Sequence, residues 1–384
     1  MKINKNNLVL VGMVESSHFK NWLKVLIDLE LFHKIWIIPS DYPVKKLTTF
    51  SLGSNSKSST KIRVFNFPFG WKLNNLTFRL LDLIFSLKWR SIPLYIFIKI
   101  VRPNYIHFHE LQHGAYIYNH IYRLFNKKRK FKIISSTWGS DLLFYGRLES
   151  HKRELEKVLA WTDTLTSERI DDLEVAKSLG FSQKFFAPVY ITVGAKLPIK
   201  EPKIAPSKRS EIIIKGYQDS HGRALNALAA LELIHSHLKK FKIRIFSASL
   251  PVKLQIEFLK SKYGLDIAEI PRISNQELQN HFANSRLYIG LAVSDGLSTS
   301  MIEAMKNGTF AIQSSNSSAN IFLVDGITGF ISDPWDIESI ANKILIALTT
   351  DDLVDKAVST NFSKLESFYD FDTGVNIIND LYRI

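Results

Sequence analysis

Short, mostly apolar runs of three to seven residues alternate with longer amphipathic stretches along the whole chain. Leu8–Val11, Ile35–Ile38, Lys61–Phe65, Tyr105–Phe108, Lys132–Ser135, Thr164–Ser167 and Lys184–Phe186 read as strands. Phe19–Glu30, Leu76–Lys88 and Tyr116–Asn126 between them read as helices. Runs this apolar suit strands covered on both faces, and the alternation predicts a parallel sheet with helices on each side. Gly194–Ser210 is rich in Lys and Pro, shows no periodicity and reads as a linker. The rhythm then restarts. Glu211–Ile214, Ile243–Ser247, Leu265–Ile267, Leu287–Val293 and Phe310–Gln313 are the expected strands. Arg223–His237, Val252–Tyr263, Asn275–Ala283, Thr299–Lys306 and Ile337–Leu348 are the expected helices, with Gly264 ending the second. Val375–Ile384 reads as a final helix. The fold class is therefore α/β, with two doubly wound Rossmann-like domains at 1–205 and 206–365 and a terminal segment at 366–384. Ligands in such sheets bind beyond the carboxyl ends of the strands, which predicts a site in the cleft between the domains.

A length of 384 residues agrees with two cores rather than one. At 46% hydrophobic and 22% charged residues, disorder and low complexity are excluded. The absence of cysteine excludes disulfides, Cys-ligated metal and Cys nucleophiles. The opening apolar run reads as a buried strand rather than a secretory signal. Arg79, Asp82, Lys88, Arg90 and Lys99 interrupt the most apolar region, Leu76–Val101, so it is not expected to span a membrane. Charge changes the picture more. Residues 1–210 hold 34 Lys and Arg against 16 Asp and Glu, whereas 211–384 hold 16 against 20. A basic bias confined to one domain points to a polyanionic partner there: nucleic acid, an anionic membrane or a phosphorylated lipid. The run Lys127-Lys128-Arg129-Lys130 by itself reads as a solvated face.

The segment that carries chemistry is Tyr288–Gly329. A buried strand is broken by Asp295-Gly296. Ser298, Thr299 and Ser300 then open a helix that Gly308 ends, and another buried strand follows. The start of this helix is an anion site, with free N–H groups and the positive end of the dipole. Glu303, one turn in, can reach the vicinal hydroxyls of a ribose, and Asp295 stands at the end of the strand. His107, His109 and His113 occupy a strand end and loop rather than one helical face, without an acidic companion set, so no metal site is expected. Asp370-Phe371-Asp372 has a D-x-D spacing but precedes the last helix instead of following a core strand, and reads as structural. No G-x-G-x-x-G and no Walker A sequence occurs.

Asp295, seven residues, Glu303-Ala304-Met305, Gly308 and Asp325-Gly326-x-x-Gly329 together resemble the donor signature of the family-4 retaining glycosyltransferases of the GT-B fold. Asp295 stands in place of the family's first Glu, one methylene shorter. The resemblance implies a C-terminal domain that binds a nucleotide sugar through Glu303, Gly296, Ser298, Thr299 and Ser300. It also implies a terminal helix crossing back to the first domain. The family holds the donor diphosphate with an Arg and a Lys near residues 216–222. Tyr217 and His221 stand there instead, leaving Lys215 and Arg223, around Gly216, as the replacements, with Arg223 the stronger candidate. Gly12 resembles the family's first glycine loop. Thr137-Trp138-Gly139-Ser140-Asp141 resembles T-x-H-G-x-D with Trp138 in place of the cleft histidine. The candidate catalytic set is Asp295, His109 and His113, and Trp138, Asp141 and Glu110 are expected to line the acceptor or sugar cleft. By resemblance the activity is transfer of a sugar, with retention and without a metal or other cofactor, from a nucleotide sugar to a glycan or a lipid-diphosphate-linked acceptor. The setting implied is surface polysaccharide or lipopolysaccharide synthesis on the anionic inner face of the plasma membrane. A nucleic-acid-binding protein and a GT-B enzyme with a soluble acceptor are the alternatives.

Overall fold

The computed structural model describes residues 6–41, 59–67, 75–86, 88–125, 129–189, 204–368 and 371–382. The chain divides into two compact units, Met1–Lys196 together with Phe371–Ile384, and Leu197–Asp370. The first contains β1 (Asn7–Gly12), β2 (Lys34–Pro39), β3 (Lys61–Val64), β4 (Tyr105–His109), β5 (Lys132–Thr137), β6 (Thr164–Ser167) and β7 (Lys184–Phe186). The second contains β8 (Glu211–Lys215), β9 (Lys242–Phe246), β10 (Ile267–Ile270), β11 (Ser285–Gly290), β12 (Phe310–Ser314) and β13 (Phe330–Ser332). All pairings within the two sheets are parallel, in the orders β3-β2-β1-β4-β5-β6-β7 and β10-β9-β8-β11-β12-β13. Two doubly wound domains are thus what the apolar rhythm predicts, and Leu8–Val11 and Ile212–Ile214, at 0–1% exposure, show why those runs carry no polar alternation.

Each sheet grows outward in both directions from one pair of strands, β1–β4 in the first and β8–β11 in the second. Loops leaving such a pair diverge and open a crevice at the strands' carboxyl ends. Those ends carry Gly12 and His109-Glu110 in one unit and Lys215-Gly216 and Gly290 in the other. Gly12 is required by packing. A Cβ there would lie 2.9 Å from both His109 Cβ and the Phe19 ring.

The last helix, Phe371–Tyr382, packs into the core of the first unit through Ile378, Leu381 and Tyr382. The Tyr382 hydroxyl lies 2.5 Å from His107 Nδ1 and accepts from Trp22 Nε1 at 3.2 Å, and Tyr105 donates to the Tyr382 carbonyl at 2.8 Å. His107 Nε2 continues the network to Ser136 Oγ at 2.6 Å. Burial holds the His107 ring neutral, with its pKa far below the usual imidazole value.

Several elements differ from the sequence pattern. Tyr116–Asn126 is not one helix. Its described part is broken into turns at Tyr116–Tyr118 and Tyr122–Leu124, because Tyr118 and Phe125 turn into one aromatic cluster with Trp161 and Phe131. The strand expected over Leu287–Val293 stops at Gly290. Beyond it the chain pairs with the 221–223 loop, Arg223 N–H donating to the Leu291 carbonyl and Val293 N–H to that of His221. The strand near Leu265 lies at Ile267–Ile270. Helices Lys88–Val101 and Asp351–Phe368 and strand β13 have no counterpart in the pattern reading. Residues 194–203 of the proposed linker, Lys127, Lys128 and Asp370 lie outside the described residues.

Candidate functional site

In the second unit the site is built on Lys215, Tyr288 and the helix Thr299–Lys306. Register pairs Tyr288 with Ile213 and Ile289 with Ile214, so the next pair sets Lys215 level with Gly290 and on the same face as Tyr288. Tyr288 runs along this face. A Cβ on Gly290 would meet the phenol oxygen at 2.3 Å and Gln313 Oε1 at 2.5 Å, so glycine is what leaves the ring its channel. The buried hydroxyl reaches Ser300 Oγ at 2.9 Å, and Ser300 Oγ lies 3.3 Å from Ser298 Oγ. Ser298 is the N-cap residue of the helix but makes no side-chain cap bond. No side chain of the helix's own N-cap therefore takes up the donors at its positive end. Across from it, Lys215 Nζ stands 3.4 Å from Asp295 Oδ2. Burial alone would lower the Lys215 pKa, but Asp295, Tyr288 and Tyr217 more than reverse this, so the ammonium stays charged. One turn into the helix, Glu303 Oε1 accepts from Asn275 Nδ2 at 3.1 Å, and burial raises its pKa. Gly296 N–H donates to Asp295 Oδ1 at 3.0 Å, fixing the turn.

The loop after β8 reverses the expected order of the two cations. Lys215 points into this cluster. Arg223 instead donates to the carbonyls of Asp219 (3.1 Å) and Gly222 (2.6 Å) in its own loop, with its guanidinium 4.6 Å from the centre of the Trp335 ring. The neighbouring Gly222 amide is occupied as well. Asp219 Oδ1 accepts from Gly222 N–H at 2.7 Å and from His221 N–H at 2.8 Å, an anion of the chain itself seated on those donors. Gly216 is needed for close approach, since a Cβ there would lie 2.6 Å from Ile245 Cγ2 and 2.8 Å from the Phe246 carbonyl oxygen.

In the first unit, three residues expected at a substrate surface are turned inward. His109 is fully buried, boxed by Trp22, Phe19 and His107 at 5.2, 5.6 and 4.3 Å between ring centres, and so cannot touch a substrate. Burial, then the charge of His18, pushes its pKa down to about 3. Asp141 uses both oxygens on backbone amides, Leu111 N–H at 2.7 Å and Trp138 N–H at 2.6 Å, and so clamps the loops after β4 and β5 together. Burial raises it to about 7, with the two amide bonds opposing. Glu110 sits at a φ of 85°, a region that costs a non-glycine residue ~1–3 kcal/mol. Its carboxylate accepts from Gly114 N–H, His113 N–H and His113 Nδ1, which holds it there. His113 and Trp138 are the residues left accessible. His113 is 56% exposed and its pKa is raised by the Glu110 hydrogen bond, while Trp138 is half-buried against His18 and His109. Among the described residues no group of three or more His, Asp or Glu is arranged to hold a metal ion.

The buried His109 makes stability fall with acid. The unfolded ring protonates near pH 6.5 and the folded ring only near 3, so its contribution is complete above about 6.5 and is lost as pH falls toward 3. The slope is ~1.4 kcal/mol per pH unit inside that window. Asp141 works in the opposite direction between its unfolded value and about 7, so a single-site variant is needed to read either group. Guanidinium unfolding of His109→Phe between pH 6 and 4 is expected to show this slope reduced by about that amount. An unchanged slope would place the imidazole in water.

Comparison with known proteins decides the class of chemistry. Residues 199–362 match the family model described as Glycosyl transferases group 1. The chain is a glycosyltransferase. No curated protein matches it in sequence. Among solved structures, α,α-trehalose 6-phosphate synthase from Burkholderia multivorans is similar at a TM-score of 0.73 and 11% identity, over 99% of this chain and 97% of that one. The E. coli trehalose-6-phosphate protein bound with UDP-2-fluoro glucose gives 0.68 and 14%, over 98% and 99%. The Anabaena protein HepE in complex with UDP and glucose gives 0.67 and 10%, over 98% and 99%. At such identities the likeness shows the fold, which is GT-B. The matched segment of this glycosyltransferase contains Lys215, Tyr288, Asp295 and Glu303. Tyr288 and Asp219 escaped the sequence reading. The signal for Tyr288 was its place two residues before Gly290, where a strand meets its loop.

Proposed function

We propose that this glycosyltransferase binds a nucleotide sugar in its second unit and transfers the sugar, with retention and without a metal, to a glycan or lipid-linked glycan in surface-polysaccharide synthesis. The observation that carries the donor half is the Lys215 ammonium at the carboxyl end of β8, paired with Asp295 in the loop that leads into a helix whose own N-cap residue makes no side-chain cap bond. Backbone N–H groups and one buried cation are what a nucleoside diphosphate requires as it takes on charge. The acceptor hydroxyl forms the new bond to the anomeric carbon, the bond to the diphosphate breaks, and a diphosphate oxygen receives the hydroxyl proton. Glu303, already oriented by Asn275, takes the ribose hydroxyls. His113 and Trp138 are the accessible groups at the carboxyl ends of β4 and β5 for the acceptor. The lipid-linked acceptor is supported by the charge of residues 1–210, and peripheral attachment to the inner face of the plasma membrane is part of the same proposal. The trehalose 6-phosphate synthase similarity favours, as the second reading, a soluble sugar acceptor.

The test is a thermal-shift series with UDP-, GDP-, ADP- and CMP-sugars in excess EDTA, followed by NMR of the product's anomeric configuration. A ligand at about 100 times its Kd adds ~2.7 kcal/mol of stability. No shift with any donor, or an inverted anomer, overturns the proposal. Glu303→Gln is expected to fold normally and to weaken nucleotide binding by ~10- to 100-fold, the worth of a charge-assisted hydrogen bond of ~1.5–3 kcal/mol. Calorimetry that returns wild-type affinity removes Glu303 from the ribose.

A further inference from the structure

Helices Asn75–Phe85 and Lys88–Val101 follow β3 in the first unit and carry more apolar surface than the fold covers. The second uses Leu94, Phe97 and Ile98 for the core. On its other side Ile92, Ile96 and Ile100, spaced at i, i+4 and i+8, are 66%, 52% and 76% exposed. The first helix repeats the arrangement, with Leu76, Leu80, Leu83 and Ile84 outward on one face. A helix apolar all round belongs in a core or against a further partner. Charge identifies the partner. Between Asp41 and Glu110 the sequence holds eleven Lys and Arg and one acid, Asp82. That acid is spent inside the fold, paired with Arg90 and accepting from Trp89 Nε1. Lys88 continues the isoleucine row by one turn, and Arg79, Lys99 and Arg102 are exposed around it. Exposed aliphatic side chains beside exposed cations are complementary to a surface that is anionic outside and hydrocarbon within. No helix among the described residues is long and apolar enough to cross such a layer.

We infer that the outer faces of these two helices dock the enzyme onto an anionic lipid bilayer, with Ile92, Ile96 and Ile100 entering the acyl boundary and Lys88, Arg79, Lys99 and Arg102 meeting the headgroups. The inference rests on the reading of the acceptor as lipid-linked and names the surface that brings the first unit to it. Each well-placed cation contributes about fivefold to partitioning.

The experiment is flotation of the full chain with vesicles of phosphatidylcholine containing about 30% phosphatidylglycerol, beside vesicles of phosphatidylcholine alone, at low and physiological salt. Wild type is expected to float with the anionic vesicles. Ile92→Ser/Ile96→Ser/Ile100→Ser is expected to lose ~10²-fold in partitioning. Lys88→Glu/Lys99→Glu is expected to lose ~25-fold or more at low salt and less at high salt. Both variants change exposed positions, and unaltered melting and nucleotide-sugar binding certify their folding. The inference is overturned if wild type ignores anionic vesicles, if the triple variant floats like wild type, or if light scattering shows a dimer that the triple variant dissolves. Nucleotide-sugar binding by the same samples reports separately on the donor site, so its loss with flotation intact strikes the reading of the second unit and not this surface.

Discussion

Lys215→Met is expected to lower turnover by ~10²–10³-fold while changing donor affinity far less, because the contact strengthens as the diphosphate gathers charge. Nζ is already held in the site by Asp295 at 3.4 Å, and Asp295, Tyr288 and Tyr217 together keep it charged against its burial. Methionine keeps the stem and removes the ammonium. Arg223→Ala is expected to cost less than ~10-fold, since its guanidinium bonds to the carbonyls of its own loop and lies against Trp335. The measurement is kcat and donor KM for both variants in excess EDTA, with the donor found by thermal shift. Near wild-type turnover in Lys215→Met takes it out of the chemistry. Loss of wild-type activity in EDTA assigns the charge to a metal ion.

Tyr382→Ala is expected to destabilise the first unit by ~4–8 kcal/mol. Truncating a buried aromatic residue costs ~3–5 kcal/mol, and a buried partner left without its hydrogen bond adds ~1–3 kcal/mol. That partner is His107 Nδ1, 2.5 Å from the hydroxyl at zero exposure. Tyr382→Phe keeps the ring and is expected to cost only the second term. The readout is the guanidinium midpoint of the first unit's transition, followed by the buried tryptophan Trp22, which donates to the same hydroxyl. A Tyr382→Ala midpoint within ~1 kcal/mol of wild type would mean that the last helix is not held by this residue.

Element type was legible wherever burial was one-sided or complete. The runs at Leu8–Val11, Ile212–Ile214 and Phe310–Gln313 are strands because a parallel sheet hides both their faces, and that leaves a continuous apolar signature in the chain. The helix opened by Ser298 was legible because a turn, polar small residues and an apolar period meet there. Lys88–Val101 escaped the same reading: apolar on its core face and on its exposed face, it has no period to find. Tyr116–Asn126 has a helical pattern, yet its aromatics gain more from one shared cluster than from an unbroken ladder. The site divides in the same way. Asp295, Glu303 and the helix start between them lie within nine residues, so their spacing alone places them together. Lys215 is 80 residues from Asp295, and only the β8–β11 register decides that its side chain faces Tyr288. Nor does the sequence contain which carboxylate is taken by a backbone amide. Asp141 and Glu110 read along the chain as cleft residues and Asp219 carries no signal there, and tertiary structure turns each onto backbone N–H groups. Local pattern is set by burial and periodicity, which neighbouring residues share; the direction of a charged side chain is set by whichever distant group completes its hydrogen bonds.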